Sequence, residues 1–293
     1  MTLAHALYLY CIREKTDTPP PASGPGGPAS GGQAGGGDNT PVISTEGIDG
    51  KGEVFTLIHR RLEAVVSRVS LKEFGSGEVQ KKAREDLVWI QKKALLHQKI
   101  IEAAAKKNDS RLSLIPMRFG IIFNGEKSLK TALDKDYARI TGKLEKIRGK
   151  QEWGLKVYLK DQKSFEERIK EKNMLIKKKL EELANLPEGE AFFMEEELNA
   201  LVVRETAKEL NDFARGVFET FKNISDDCVK NKNLGKELTG RAEPMVLNAA
   251  YLIPGESVPD FKTEAEKVNK RILEKGFYLE YSGPWPAYNF AAY

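Results

Sequence analysis

The chain has 293 residues, 40% hydrophobic and 31% charged, a globular composition that argues against a fibrous or wholly disordered protein. Its 47 lysines and arginines stand against 43 acids, a net charge of +4, too slight and too interleaved to point to nucleic acid or an anionic membrane. Two cysteines, Cys11 and Cys228, make no disulfide framework, and no run approaches the ~18–20 apolar residues of a membrane span. A reducing, cytosolic setting and two domains are therefore expected, since one ordinary domain holds roughly 100–200 residues. The apolar run Leu3 to Ile12 lacks a basic flank and is too short for a signal peptide.

That first run reads as a strand buried on both faces. Pro19 to Asn39 follows, a Gly/Pro-rich stretch whose one charge is Asp38. It offers nothing to pack against the entropy of ordering it, so a mobile insertion within the first domain is expected. Its glycines lack the Gly-Lys-Ser/Thr of a phosphate loop. Glu53–Ile58 and Leu62–Val69 are β-branched runs close enough to pair. Leu87, Ile90, Ala94, Ile101 and Ala105 recur at helical spacing. The second half of Ile115 to Phe123 reads as a buried strand. Asn124 is placed to cap one long helix whose stripe is Leu129, Leu133, Tyr137, Ile140, Leu144 and Ile147, ended by Gly149. The N-terminal domain, 1–149, is thus expected to be a mixed sheet covered by helices.

In the second domain, 150–293, Trp153, Leu155, Val157 and Leu159 alternate with polar neighbours as a half-buried strand. A Lys/Glu-rich helix from about Ser164 to Leu186 carries the pairs Glu166/Lys170, Lys177/Glu181 and Lys178/Glu182, and Pro187 with Gly189 breaks it. A second long helix follows, with Leu198, Val202, Leu210, Phe213 and Val217 on one side. Then come a strand near Asn223–Val229, a strand over Met245–Ile253, and a helix opened by Ser257 and Asp260 and closed by Gly276. Phe277 to Tyr281 is the last strand. This α+β order, β-α-α-β-β-α-β, predicts a ferredoxin-like domain with its first crossover helix doubled. Pro284 and Pro286 then predict that the chain leaves the sheet as an extended tail, 282–293.

Little catalytic chemistry is on offer. His5, His59 and His97 are isolated from cysteine and from each other in sequence, although His5 and His59 flank strands that could bring them together. Neither cysteine sits in a Cys-x-x-Cys pair, and no nucleophile elbow, His-Glu-x-x-His or P-loop is present. Glu195–Glu197 suit a helix start and Lys177–Lys179 a solvated face. No enzyme activity, cofactor, metal or small-molecule substrate is expected. The candidate partner-binding residues are Trp285, Tyr288 and Phe290 in the aromatic C-terminal run. Trp285 is expected to close the domain edge, with Tyr288 and Phe290 reaching outward.

Four strings make the chain recognisable: Ile115-Pro-Met-Arg-Phe-Gly120, Glu152-Trp-Gly-Leu-Lys-Val-Tyr158, Met245-Val-Leu-Asn-Ala-Ala-Tyr-Leu-Ile253 and Gly276-Phe-Tyr-Leu-Glu-Tyr-Ser-Gly-Pro-Trp-Pro286. With weaker marks at Leu62–Ser67 and Trp89–His97, the chain resembles the gas vesicle protein F/L family over nearly all of its length outside the Gly/Pro insertion. Ala287 stands where the family usually has a second proline. The resemblance implies a minor component or assembly factor of the gas vesicle, located on that structure within the cytoplasm. Its implied partners are the small hydrophobic shell protein and other gas vesicle accessory proteins, engaged by strand addition or by docking of the tail. A shell subunit with an apolar face needs such a companion before assembly. The alternative from another class is an RNA-binding module, using Lys156, Tyr158 and Lys160 on a ferredoxin-like sheet.

Overall fold

The computed structural model describes residues 5–15, 40–107 and 110–293; the Gly/Pro-rich segment Pro19 to Asn39 lies outside them. Contacts divide the chain into two compact units, one holding Met1–Lys150 and Pro286–Tyr293, the other Gln151–Trp285.

In the first unit β1 (His5–Glu14), β2 (Thr40–Glu46), β3 (Glu53–His59) and β4 (Leu62–Ser70) precede three helices: α1 (Leu71–Phe74), α2 (Ser76–Glu85) and α3 (Leu87–Ala104). A two-residue ladder, β5 (Lys106–Lys107) with β6 (Ser110–Arg111), leads to β7 (Leu114–Pro116) and β8 (Ile122–Phe123). Helices α4 (Glu126–Lys135) and α5 (Tyr137–Ile147) follow. The antiparallel sheet runs β2-β3-β4-β1-β7, with β8 also paired to β1. Ala6 through Ile12 are all buried, as a central strand covered on both sides requires. Between Leu9 and Cys11 the register with β4 shifts, so Tyr10 is the extra residue of a bulge. Its hydroxyl meets Ser67 Oγ at 2.7 Å and accepts from the Ile48 N–H at 2.8 Å.

Four expectations for this unit change. The sheet, expected to be mixed, is antiparallel in each of these pairings, since its neighbouring strands run in opposite directions through short connections or return after the helices. The buried strand expected in the second half of Ile115 to Phe123 shrinks to the half-buried pair Ile122–Phe123, with β7 forming at the start of the run. The chain turns between them at Phe119–Gly120, where the Gly120 N–H donates to Tyr8 Oη (3.0 Å). The single helix expected after Asn124 is two. Asp136 interrupts it, its carboxylate taken by Arg139 and by the Tyr293 hydroxyl. Asn124 caps nothing, since the N-cap position of α4 is Gly125.

The second unit is built on β9 (Lys150–Leu159), β10 (Asp227–Lys230), β11 (Met245–Pro254) and β12 (Phe277–Trp285) in the order β10-β11-β9-β12. Helices α6 (Gln162–Lys172), α7 (Met174–Leu183) and the 35-residue α8 (Glu188–Lys222) lie between β9 and β10. The short α9 (Lys236–Thr239) and α10 (Val258–Leu273) complete it. The core joins Leu155, Val157, Leu247, Tyr251 and Ile253 of the sheet to Leu198, Val202, Val217 and Phe221 of α8 and to Phe261, Ala265, Val268 and Ile272 of α10. The Lys/Glu-rich helix is also two helices. Asn173 ends α6 and caps α7, its Oδ1 accepting from the N–H groups of Leu175 (3.0 Å) and Ile176 (3.2 Å). Ser257 holds the N-cap position of α10 as expected, but its side chain makes no capping hydrogen bond, and a turn of 3₁₀ helix over Gly255–Ser257 leads into the helix.

The expected extended tail is overturned. The β12 ladder with β9 continues past Ser282 to a Trp285–Glu152 pair, and a register shift between them absorbs Pro284, which needs no ladder N–H there. Gly283 holds φ at 149°, and a Cβ there would stand 2.9 Å from the Trp153 ring. The last residues then form α11 (Tyr288–Ala291), which packs on α5 and β7, so 286–293 belongs with the first unit.

Candidate partner-binding surface

The three aromatics singled out from sequence fall in different environments. Phe290 is buried in the first unit beside Ala291, and Tyr288 is half-buried. Neither reaches outward. Trp285, expected to close an edge, is instead the exposed member, its Nε1 donating to Ser282 Oγ at 3.1 Å. The reversal follows from α11: once 288–291 coil, Phe290 turns back onto its own helix neighbours.

The histidines do not converge. On β4 the partner of His5 is Ser70 and that of His59 is Leu62, at opposite ends of the strand. His59 Nε2 meets Asp134 Oδ1 at 2.9 Å, and this contact, with Arg60, holds the Asp134 carboxyl below its usual range. His97 is buried between Tyr8 and Met117, Nδ1 3.0 Å from Tyr8 Oη and Nε2 3.0 Å from the Met117 carbonyl. The carbonyl can only accept, so Nε2 carries the proton and Nδ1 accepts from Tyr8. Burial lowers the His97 pKa, raises that of Tyr8, and pushes the Cys11 thiol up to about 12. Each is a satisfied core group. Among the described residues no group of three or more His, Cys, Asp and Glu side chains is arranged to hold a metal ion. No helix among them is long and apolar enough to cross a membrane. Tyr158 is buried, stacked on Tyr278 (centroids 5.1 Å apart) with the Arg241 guanidinium 4.9 Å from its ring. That ring offers no open face for a base.

Exposed apolar residues lie on α3 (Leu87, Val88 and Leu95), at Leu238, and in greatest number on the hairpin of α7 and α8. Leu198, Leu201, Val202, Ala214, Val217 and Phe221 give α8 its inward stripe. Phe193, Ala200 and Val203, spaced by seven and three, form a second stripe that faces water. Phe193 is 70% exposed, its neighbour Phe192 66%, and the two rings touch edge-on at 5.8 Å. Asn173 Nδ2 donates to Glu205 (3.4 Å) and Lys179 Nζ to Glu197 (2.8 Å), setting the register of α7 against α8. On α7 the exposed Met174 and Leu175 therefore begin level with Val203, and Leu180 lies towards Phe193. Lys177, Lys178 and Glu195–Glu197 border this surface with charge of both signs. In the sequence the inward stripe of α8 is the dominant periodic signal and masks the exposed α7–α8 residues. The signal present was a surplus of large apolar residues that one stripe could not accommodate.

This α+β fold is similar to that of gas vesicle protein F. The crystal structure of GvpF from Anabaena sp. superposes with a TM-score of 0.70 at 18% identity, covering 98% of each chain, and that from Microcystis aeruginosa with 0.60. Sequence carries the assignment further. The model of the gas vesicle synthesis protein GvpL/GvpF family matches residues 6–292, and the chain belongs to that family. Among its relatives, gas vesicle protein F of Nostoc sp. is 24% identical over 67% of this chain and 75% of its own. Gas vesicle protein L1 of Halobacterium salinarum is 22% identical over 99% and 92%.

Proposed function

We propose that this protein is a non-enzymatic gas vesicle assembly factor that binds the small hydrophobic shell protein through the exposed apolar face of the α7–α8 hairpin. The observation that carries the reading is the pair Phe192 and Phe193, two large rings held in water on a rigid helix. Burying each against a partner stabilises by roughly 1.5–3 kcal/mol, so the pair can support a micromolar contact. In this reading the partner is a shell-forming subunit whose apolar surface must be kept from premature aggregation, a role in keeping with membership of a gas vesicle synthesis family. Trp285 is a secondary contact in this reading, and Tyr288 and Phe290 serve the fold. The strand order β10-β11-β9-β12, with helices between β9 and β10 and between β11 and β12, supports a ferredoxin-like description of the second unit. In this reading the protein works in the cytoplasm at the vesicle.

Co-expression with the shell protein and affinity capture test it. Phe192→Ser with Phe193→Ser should cut the captured shell protein by about tenfold or more, and Trp285→Ala by less. Undiminished capture by the double variant would remove the hairpin from the interface and turn attention to the open edge of β12.

A further inference from the structure

The second unit also contains a groove of about 570 Å³, within the size range of ligand pockets. Its composition is uneven in a way that specifies an occupant. Phe165, Arg168, Ile169 and Lys172 recur at spacings of three and four and share one face of α6. Glu205, Lys208, Glu209 and Phe213 share one face of α8, Glu205 lying three and four residues before Lys208 and Glu209, and Glu209 four before Phe213. Phe277, the first residue of β12, closes the floor. The Phe213 and Phe277 rings stack flat, 3.9 Å between centroids, and Phe165 meets Phe277 edge-on at 5.5 Å. Phe277 and Phe165 are buried, and Phe213, half-buried on top of Phe277, is the ring that offers aromatic surface to whatever enters.

Above the floor the charges do not balance. Arg168, Lys172, Lys208 and Lys275 face two acids, Glu205 and Glu209. Glu205 is already engaged by Asn173 and by Arg204 (3.4 Å). Arg168 is fixed: its guanidinium lies 5.2 Å from the Phe165 ring centroid and Nη2 donates to the Lys275 carbonyl at 2.8 Å. That seat depends on Gly276, held at φ 84°, where a Cβ would crowd Nη2 at 3.3 Å. Among the described residues Lys172, Lys208 and Lys275 form no ion pair.

We infer that this groove binds the C-terminal residue of a partner polypeptide, its apolar side chain on the Phe213–Phe277 floor and its α-carboxylate among Arg168, Lys208 and Lys275. The Arg168 guanidinium, 5.2 Å from the Phe165 ring that adjoins this floor, calls for an anion and an apolar group that are close neighbours. A C-terminal Phe or Leu meets that demand because both branch from one α-carbon. A side-chain carboxylate on a different residue from the apolar group holds the two farther apart. The inference does not rest on the shell-protein reading, since none of these residues lies on the exposed face of the hairpin.

The test titrates the full chain with a short peptide ending in Phe and follows amide chemical shifts by NMR. Shifts should cluster at Arg168, Lys208, Phe213 and Lys275. Amidating the peptide's C-terminus, or ending it in Ser, should weaken binding by about tenfold. Lys208→Glu with Lys275→Glu, both at exposed positions, should abolish it while the rest of the spectrum stays folded. Equal binding of acid and amide would overturn the carboxylate assignment. Tighter binding of N-acetylphenylalanine than of the peptide would overturn the polypeptide assignment. Retention of binding by the charge-reversed variant, or no saturable shift at all, would overturn the site.

Discussion

Helix α3 of the first unit and helix α8 of the second both carry aromatic-rich apolar surface, yet they use it in opposite ways. On the buried face of α3 each group is accounted for: His97 bridges Tyr8 and Met117, Tyr8 also takes the Gly120 N–H, and the rings of Tyr8, Tyr10, Phe74 and Phe119 surround them, while Leu87, Val88 and Leu95 of the same helix stay exposed. On the N-terminal half of α8 two phenylalanines touch mainly each other and water. The difference teaches that apolar content does not separate a core from a contact surface. What separates them is whether the polar atoms and ring faces nearby are already satisfied.

The comparison breaks most visibly at Tyr8. Tyr8→Ala should lower the unfolding free energy by about 3–5 kcal/mol, on the scale of emptying a Phe-sized core position. It removes a fully buried ring and leaves His97 Nδ1 and the Gly120 N–H without their partner. Urea denaturation measures it. A loss under about 1 kcal/mol would mean that the layer tolerates the gap as a surface does.

A smaller effect sharpens the same side. His97 has its folded pKa lowered from an ordinary 6.5, first by burial, with the Met117 hydrogen bond acting in the opposite sense. The unfolded chain therefore binds the proton more readily. Stability is full above the unfolded value and falls as the pH drops below it towards the folded value. The imidazole's neighbours among the described residues are Tyr8 and Met117 through hydrogen bonds and the Tyr10 and Phe119 rings, none of them charged. Unfolding free energy measured from pH 7.5 to about 5 should decline, and His97→Gln, though less stable, should flatten that slope. An unchanged slope in the variant would assign the acid sensitivity to other groups.

Much of this layout was legible in the sequence, and the failures share a cause. The long apolar runs that became β1, β4, β9 and β11 declared themselves because burial on a sheet leaves a dense or alternating pattern. Single polar residues deceived. Asn173 and Asp136 sit inside helical periodicity and still end helices, because each finds a local partner: the start of α7 for Asn173, Arg139 and Tyr293 for Asp136. Tyr293 lies 157 residues from Asp136, which no local pattern reveals. The C-terminal aromatics failed likewise. The extended tail expected from Pro284 and Pro286 does not form, because a bulge carries the ladder past Pro284 to Trp285 and the next residues coil with Phe290 turned inward.

The smallest expected effect lies on the other side of the comparison. Phe192→Ser with Phe193→Ser should leave the unfolding free energy within about 0.5 kcal/mol of the parent. Both rings keep most of their surface in water after folding, so folding gains little from them. Ser and Phe have similar helix propensity, so α8 should not fray at its first turns. Their mutual edge-on contact is all that the pair loses within the chain, and in water such a contact contributes little. The same change should reduce self-association at high concentration, measured by light scattering, because it removes both rings from an exposed apolar surface. Stability and scattering then move independently, which they cannot do at Tyr8. Were the double variant to lose about 2 kcal/mol or more, the two phenylalanines would belong to the core as His97 does. The hairpin would then have no surplus apolar surface with which to hold a partner.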